Sequence, residues 1–315
     1  MIIDMKVLIT GGAGYLGTVL AKRLLDQGYL VTVVDNLKYN QTSLLHLFGY
    51  DGFRYIYADV RNTKKLQELV KEHDVIIPLA AIVGMPACAA DPQQAVDVNY
   101  MQILRILDVM TKKQKIILPN TNSQYGSSDT IITEESPFNP LSLYAQTKCD
   151  AEKALLDSGN GISLRLATVF GVSPKMRLDL LVNNFVYKSM YDGYLVLFEA
   201  HFKRNYIHVQ DIARTFQFMI EHYDECNNQA FNVGLSTANI SKMELALLIK
   251  NYVPTLVIKE EEFKKDFDQR NYIVSNEKLE SKGWKPIYDL DYGIKQLITA
   301  FPILNHINNK NFTNL

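Results

Sequence analysis

Thr10-Gly11-Gly12-Ala13-Gly14-Tyr15-Leu16-Gly17 closes a short apolar run at residues 6–10. It opens a stretch with apolar residues at helical spacing, Leu16, Val19, Leu20 and Leu24, that stops at Gly28. That order predicts a strand, a glycine turn and a helix. The three glycines at 11, 14 and 17 do different work. Gly11 permits the tight turn, Gly14 lets backbone amides approach a pyrophosphate, and Gly17 lets the helix pack on the sheet. The first helical turn, with Tyr15 and Leu16, offers unpaired N–H groups and a positive dipole end to phosphates. Asp35, 18 residues past Gly17, ends a second apolar run at 30–34 and is followed by Asn36. A carboxylate there accepts a hydrogen bond from an adenosine 2′-hydroxyl and repels a 2′-phosphate. No arginine adjoins it, so the expected cofactor is NAD rather than NADP.

Outward from this motif the same rhythm repeats. Short β-branched runs at 53–57, 74–77, 115–118 and 162–166 alternate with helical patterns at 63–71, 92–112 and 143–158. Strands alternating with helices predict a parallel sheet covered on both faces, and the handedness of crossovers favours a doubly wound, Rossmann-type α/β fold. Past Val172 helices and short strands mix, as expected of a smaller α+β substrate-binding region. The expected division is a cofactor domain at 1–171 with part of 206–235 packed on it, a substrate region at 172–205 and 236–304, and a frayed tail at 305–315 rich in Asn and Lys.

Composition narrows the class. The 315 residues are 47% hydrophobic and 21% charged, with a formal net charge of −1. These values exclude intrinsic disorder and give no bulk charge to attract nucleic acid or anionic membranes. Cys88, Cys149 and Cys226 match neither a C-x-x-C pair nor a zinc spacing, so reduced thiols and no metal are expected. The longest apolar run, 75–90, is interrupted by Pro78, Gly84 and Pro86, and the N-terminal MIIDMKVLIT carries Asp4 and Lys6. Neither has the unbroken apolar length of a membrane span or a signal peptide. A cytoplasmic, soluble protein is expected.

Tyr144 and Lys148 lie four apart, on one face of a predicted helix. A phenol is a poor base near neutral pH, but an adjacent ammonium and the charge of an oxidised nicotinamide lower its pKa toward working range. Upstream, Thr121-Asn122-Ser123-Gln124-Tyr125-Gly126 follows the fifth strand, and a hydroxyl there can share the same substrate oxygen.

With these residues in place the chain resembles the extended short-chain dehydrogenases/reductases, the nucleotide-sugar epimerases and dehydratases, over residues 5–300. The resemblance implies that Tyr144, Lys148 and Thr121 are catalytic. It implies cofactor contacts from Gly11, Gly14, Tyr15, Leu16, Gly17, Asp35, Asn36, Asp59, Val60, Leu79, Ala80, Ala81, Asn99 and Thr168, as well as from Thr121, Tyr144 and Lys148. Thr168 stands where many members have Asn. Substrate contacts are implied for Met85, Asn122, Ser123, Tyr144, Asn183, Arg204 and Arg270, with Arg204 and Arg270 holding a diphosphate. Arg204-Asn205-Tyr206-Ile207-His208-Val209 is similar to the family's R-D-[FY]-I-H-V segment, with Asn in place of Asp; Ser275 stands where Asp is frequent.

The departures bear on chemistry. Dehydratases of the family follow the catalytic Thr with an acidic pair, whereas Asn122 and Ser123 supply neither acid nor base near neutral pH. A 3,5-epimerase would use a Cys and a His, and the nearest by segment are Cys88 and His208, the latter in the ordinary I-H-V strand. The expected chemistry is oxidation of the C4 hydroxyl of a nucleotide-linked sugar, with Tyr144 taking the proton, Thr121 orienting the oxygen, and Lys148 holding the ribose and lowering the Tyr144 pKa. A 4-epimerase that returns the hydride uses the same residues. A non-catalytic NAD sensor on this fold would usually lack the Tyr or the Lys. The stretches 82–92 and 176–183 resemble a bacterial subgroup that oxidises C4 of GDP-heptoses for capsule polysaccharide, which implies a GDP-sugar substrate. The family also implies a homodimer through helices 99–112 and 143–158, with Ile103, Leu104, Ile106, Leu107 and Met110 on one face and Ala151, Ala154 and Leu155 on the other.

Overall fold

In the computed structural model, which describes residues 3–261, 270–304 and 312, the glycine turn follows an interior strand of the main sheet. Its strands are β1 (Ile3–Thr10), β2 (Tyr29–Asp35), β3 (Phe53–Tyr57), β4 (Val75–Pro78), β5 (Lys115–Thr121), β6 (Ile162–Leu166) and β7 (Gln229–Val233). They lie in the order β7-β6-β5-β4-β1-β2-β3, and every pairing is parallel. Central strands are buried on both faces and therefore read as unbroken apolar runs; Val7, Leu8, Ile9, Val75, Ile76, Ile77, Ile116, Ile117 and Leu118 have no exposed surface. The chain reverses its direction of growth between β1 and β4, so a crevice opens at their carboxyl ends, where doubly wound sheets bind ligands.

Helices α1 (Tyr15–Asp26) and α2 (Thr63–Lys71) match the sequence reading within a few residues. The helix expected over 92–112 differs. It runs from Pro92–Val96 through a π-turn at Asp97–Met101 into Gln102–Leu107, and together these form α3. Beyond Leu107 the Gln114 side chain accepts from Thr111 N–H and donates to Val70 O and His73 O, which turns the chain out of the helix. A short helix, Met85–Ala90, follows Gly84 after β4. Helix α4 (Leu143–Asp157) starts at Ser142, whose Oγ accepts from Ala145 N–H at 3.2 Å.

Beyond β6 the chain builds a three-stranded sheet. Lys203–His208 lies at its centre, parallel to Thr168–Phe170 and antiparallel to Asn239–Ser241. Helices α5 (Leu181–Tyr191), α6 (Val209–Glu221), α7 (Lys242–Lys250) and α8 (Leu290–Leu304) pack around it. His208 caps α6, accepting from Gln210 N–H at 3.3 Å, and its other ring nitrogen pairs with Gln296, which is a structural role. The expected frayed tail lies outside the described residues apart from Phe312. Among the described residues no helix is long and apolar enough to cross a membrane. Cys88, Cys149 and Cys226 are buried and unbridged, and burial pushes the Cys149 thiol up to about 11. Of the residues assigned to pairing faces, Ile103, Ile106, Ala151 and Leu155 are buried inside this chain, packed with Leu8, Leu66 and Leu118. Only Leu104, Leu107, Met110 and Ala154 of that set retain partial exposure.

One polar cluster pins α4 to the sheet. Glu152 is 1% exposed and Arg165 on β6 is 6% exposed. The guanidinium donates to Glu152 Oε1 from Nη2 at 2.6 Å and from Nε at 3.0 Å. Asn120 Nδ2 and Ser163 Oγ donate to Oε2 at 2.8 and 2.5 Å. Removing one partner leaves a buried charge without compensation. Glu152→Ala should therefore lower unfolding free energy by about 3–5 kcal/mol, measured by urea denaturation. A change below 1 kcal/mol, roughly the worth of an exposed pair, would show that the cluster is not the anchor described.

Candidate active site

The carboxyl ends of the central strands border one cleft of about 1120 Å³. The glycine turn forms its floor. Gly11 has φ +67°, and a Cβ there would lie 2.5 Å from Ala80 N; a Cβ on Gly17 would lie 2.5 Å from Gly12 Cα. Only glycine lets β1, the loop after β4 and α1 approach so closely. Gly11, Gly14, Leu16, Gly17, Leu79, Ala80 and Ala81 all line the cleft. Tyr15 lines it too, but its hydroxyl donates to Gly171 O at 2.6 Å, which joins α1 to the second sheet.

At the β2 end, Asp35 is 8% exposed. Its Oδ2 accepts from Ala13 N–H in the glycine turn at 3.0 Å, and Oδ1 accepts from Leu37 N–H at 2.8 Å. Burial raises its pKa, against those two bonds. Asn36 donates to Asp59 at 3.0 Å. Arg61 forks onto the same carboxylate at 2.9 and 2.8 Å and holds it well below the usual range. Val60 completes this wall.

The reacting end is built from β5 and α4. Thr121 ends β5 and lines the cleft with Tyr144, its hydroxyl accepting from Ser123 N–H at 3.1 Å. It also donates to Ser123 Oγ at 2.9 Å, and Arg270 donates to that same Ser123 oxygen. Tyr144 sits in the first turn of α4, Lys148 one turn later and 4% exposed. Burial lowers the Lys148 ammonium to about 8, against the Glu152 charge. Burial raises the Tyr144 phenol; the cations opposing this are Arg177 and then Arg270. At about 8 the Lys148 ammonium is still charged near neutral pH, and Arg177 and Arg270 are further cations that favour the ionised phenol.

Met85, Thr168, Arg204 and Arg270 line the cleft as expected. Arg204 is 2% exposed and lies over the Tyr272 ring, 5.7 Å from its centroid. Three expected contacts do not face the cleft. Asn99 is buried; its Oδ1 accepts from Ile82 N–H at 2.8 Å and its Nδ2 donates to Ile82 O at 3.0 Å, so it fixes the loop after β4. Asn122 is buried beneath the Thr121 turn and does not line the cleft. Asn183 has no exposed surface; it accepts from Gly171 N–H at 3.0 Å and donates to Arg177 O at 2.9 Å. Amides look alike in sequence whether they meet a ligand or a backbone. Lys38, Tyr39, Gln94, Lys175, Arg177, Asp179, Lys242 and Tyr272 line the cleft and were not assigned from sequence. The one sequence signal for any of them is the alternation of Arg177 and Asp179 with apolar residues just before α5.

The residues present fit a dinucleotide. The glycines leave room for a pyrophosphate over the start of α1, Asp35 stands at the ribose position, and Tyr144 and Lys148 stand beyond the end of β5. Asp35→Ala should weaken NAD and narrow its preference over NADP, measured as two dissociation constants. Equal affinity of the unmodified protein for both would overturn the reading of Asp35.

A family model described as the NAD dependent epimerase/dehydratase family matches residues 7–234. A putative UDP-glucose 4-epimerase of Methanocaldococcus jannaschii is 26% identical over 306 residues, covering 93% of this chain and 97% of that protein. UDP-glucuronic acid decarboxylase 1 of Arabidopsis thaliana is 27% identical over 316 residues, covering 94% of this chain and 70% of that protein. Among solved structures, the UDP-glucuronic acid 4-epimerase from Bacillus cereus, in complex with UDP-glucuronic acid and NAD, shares the fold with a TM-score of 0.85 at 23% identity, covering 95% of this chain and 100% of that one. The glycine cradle, the Thr121–Tyr144–Lys148 group and this match over most of the chain place it in the NAD dependent epimerase/dehydratase family, as an enzyme whose cofactor is NAD.

Proposed function

We propose that the chain oxidises the C4 hydroxyl of a nucleotide-linked sugar and does not dehydrate it. The observation that carries this reading is a cleft lined by Thr121, Tyr144 and Lys148 together, with no free acid–base pair among its described residues. Among the described residues the cleft carboxylates are Asp35, Asp59 and Asp179. Asp35 braces the glycine turn, Asp59 is gripped by Arg61, and Asp179 is gripped by Arg177. Removing water across C5 and C6 needs an acid for the C6 oxygen and a base for the C5 proton, and Ser123 and the buried Asn122 offer neither.

When bound, NAD accepts the hydride from C4. Tyr144, as phenolate, takes the proton of the C4 hydroxyl onto its Oη, so the C–H and O–H bonds break while the carbonyl forms. Thr121 orients the sugar oxygen. Lys148 holds the nicotinamide ribose. Arg204 and Arg270 fork onto the diphosphate, for which a guanidinium is suited by its fixed charge and planar donors. The substrate within this reading is a GDP-heptose, supported by the likeness of 82–92 and 176–183 to that subgroup, and the product is a 4-keto sugar for surface polysaccharide. A second reading, return of the hydride to the opposite face as in a 4-epimerase, is supported by the Methanocaldococcus relative. Borodeuteride trapping separates the two, because only net oxidation accumulates a keto-sugar.

Tyr144→Phe should lower kcat by about 10²–10⁴, the usual size of a lost general base, with NAD still bound. Turnover in deuterated water should leave hydrogen at C5 and C6 unexchanged; a 6-deoxy product labelled at C6 would rule out simple oxidation. Arg204→Ala and Arg270→Ala should each raise KM for the nucleotide sugar by roughly tenfold or more, the loss of one charge-assisted contact. An unchanged KM in both variants would place the diphosphate elsewhere.

A further inference from the structure

The segment that follows the Thr168–Phe170 strand crosses the first turn of α1. Ser173 Oγ donates to Tyr15 O at 2.7 Å and lies 3.1 Å from Thr18 Oγ1, and the Tyr15 hydroxyl donates to Gly171 O at 2.6 Å. Lys175, two residues on from Ser173, is 5% exposed and lines the cleft. Its ammonium rests 5.8 Å from the centroid of the Tyr39 ring, in the loop after β2. That loop is itself tied to the glycine turn. Ser43 Oγ donates to Ala13 O at 2.7 Å; Gln41 accepts from Tyr39 N–H at 3.1 Å and donates to Asp35 Oδ1 at 3.3 Å. The root of the Lys175 side chain is thus held to the start of α1, and its head to a ring anchored beside the glycine turn.

The glycine turn offers a pyrophosphate backbone N–H groups and the positive end of a helix dipole. Beside it stands Asp35, a buried carboxylate whose hydrogen-bond donors, Ala13 N–H, Leu37 N–H and Gln41, are all neutral. A pyrophosphate placed there meets a further negative charge in a crevice where repulsion is weakly screened. An adjacent cation offsets that repulsion. Lys38 is exposed and donates to Gln94 at 2.6 Å, and Arg61 forks onto Asp59. Lys175 is tethered to the turn itself. Burial and then the Arg177 charge disfavour its ammonium, and Asp179 favours it; a bound anion favours it further.

We propose that Lys175 is a cofactor-binding residue: held between the first turn of α1 and the Tyr39 ring, its ammonium takes the pyrophosphate of NAD. The inference rests on NAD as the cofactor and not on which sugar is oxidised.

The test is the binding of ADP-ribose, which carries the pyrophosphate without the nicotinamide, to the full-length protein freed of NAD, by calorimetry at low and high salt. In the unmodified protein the affinity should fall as salt rises, a reading that needs no variant. Lys175→Met should weaken ADP-ribose by about tenfold or more, the worth of one charge-assisted contact, and should flatten the salt dependence. Lys175→Gln repeats the measurement if Lys175→Met does not fold, and Lys175→Arg should restore most of the affinity. Binding of GDP and UDP to the NAD-loaded protein should be the same in Lys175→Met as in the unmodified protein. Unchanged ADP-ribose affinity in the neutral variants overturns the proposal, as does a loss confined to GDP and UDP, which would assign Lys175 to the sugar nucleotide. A weaker affinity with an unchanged salt dependence also overturns it, since that is the mark of a lysine that only packs against Tyr39.

Discussion

Glu152 and Arg165 meet in the interior, and the geometry of the reacting groups depends on that pair. Tyr144, Lys148 and Glu152 recur every four residues along one face of α4. Fixing Glu152 therefore fixes the rotation of the helix that presents the other two. Arg165 reaches back from β6, and its Nη1 also donates to the Tyr125 hydroxyl at 2.6 Å and to Glu134 O at 2.8 Å. Asn120 bonds both Glu152 and Lys148 O, and Thr121 follows it directly. The helix with the base and the strand with the orienting hydroxyl thus share one buried network. A buried ion pair offsets its desolvation only with full hydrogen bonding. The bonds from Arg165, Asn120 and Ser163 to Glu152 provide it here.

A second set of buried amides does the same work on the cofactor side. Gln102 accepts from Thr10 Oγ1 at 2.7 Å and donates to Ala80 O at 3.0 Å, so α3 clasps the last residue of β1 and the loop after β4. Asn99 holds Ile82 by both of its backbone groups. The π-turn at Asp97–Met101 lies where these two side chains leave the helix. A π-turn within an α-helix is often found at functional sites, and here it serves the approach of Ala80 to Gly11. The loop that borders the cofactor half of the cleft is thereby rigid without a regular element of its own.

What was legible in the sequence follows from how local each signal is. The glycine triplet, the apolar central strands and the four-residue spacing of Tyr144 and Lys148 are short-range patterns, and the structure places all of them as read. The match of 7–234 to the family model supports the same fold and cofactor. Asn99 and Asn183 were read as ligand contacts but turn inward, because the direction of a buried amide is decided by which backbone groups tertiary packing leaves unpaired; Asn122 is buried as well, with neither side-chain polar atom hydrogen-bonded among the described residues. The helix read to residue 112 stops at Leu107 for a related reason: Gln114 satisfies Val70 O and His73 O and draws the chain toward β5. Arg177 and Asp179 alternate with Met176, Leu178 and Leu180, but the stretch forms no regular element, so that alternation alone did not place them at the cleft.

The same burial that organises the site works against its chemistry. Drying the first two turns of α4 raises the phenol of Tyr144 and lowers the ammonium of Lys148 together, since desolvation penalises whichever form is charged. Both shifts act toward the neutral forms, yet an ammonium at about 8 keeps its charge near neutral pH. Guanidinium groups add charge whose ionisation survives burial. Both arginines that act on Tyr144 come from outside the nucleotide-binding half: Arg177 from the approach to α5, and Arg270 from the segment whose following strand, Ile273–Val274, pairs with Ile131–Ile132. Both halves therefore bear on Tyr144: the Rossmann sheet supplies the phenol and its orientation, and the smaller region adds cations that favour its ionised form against burial.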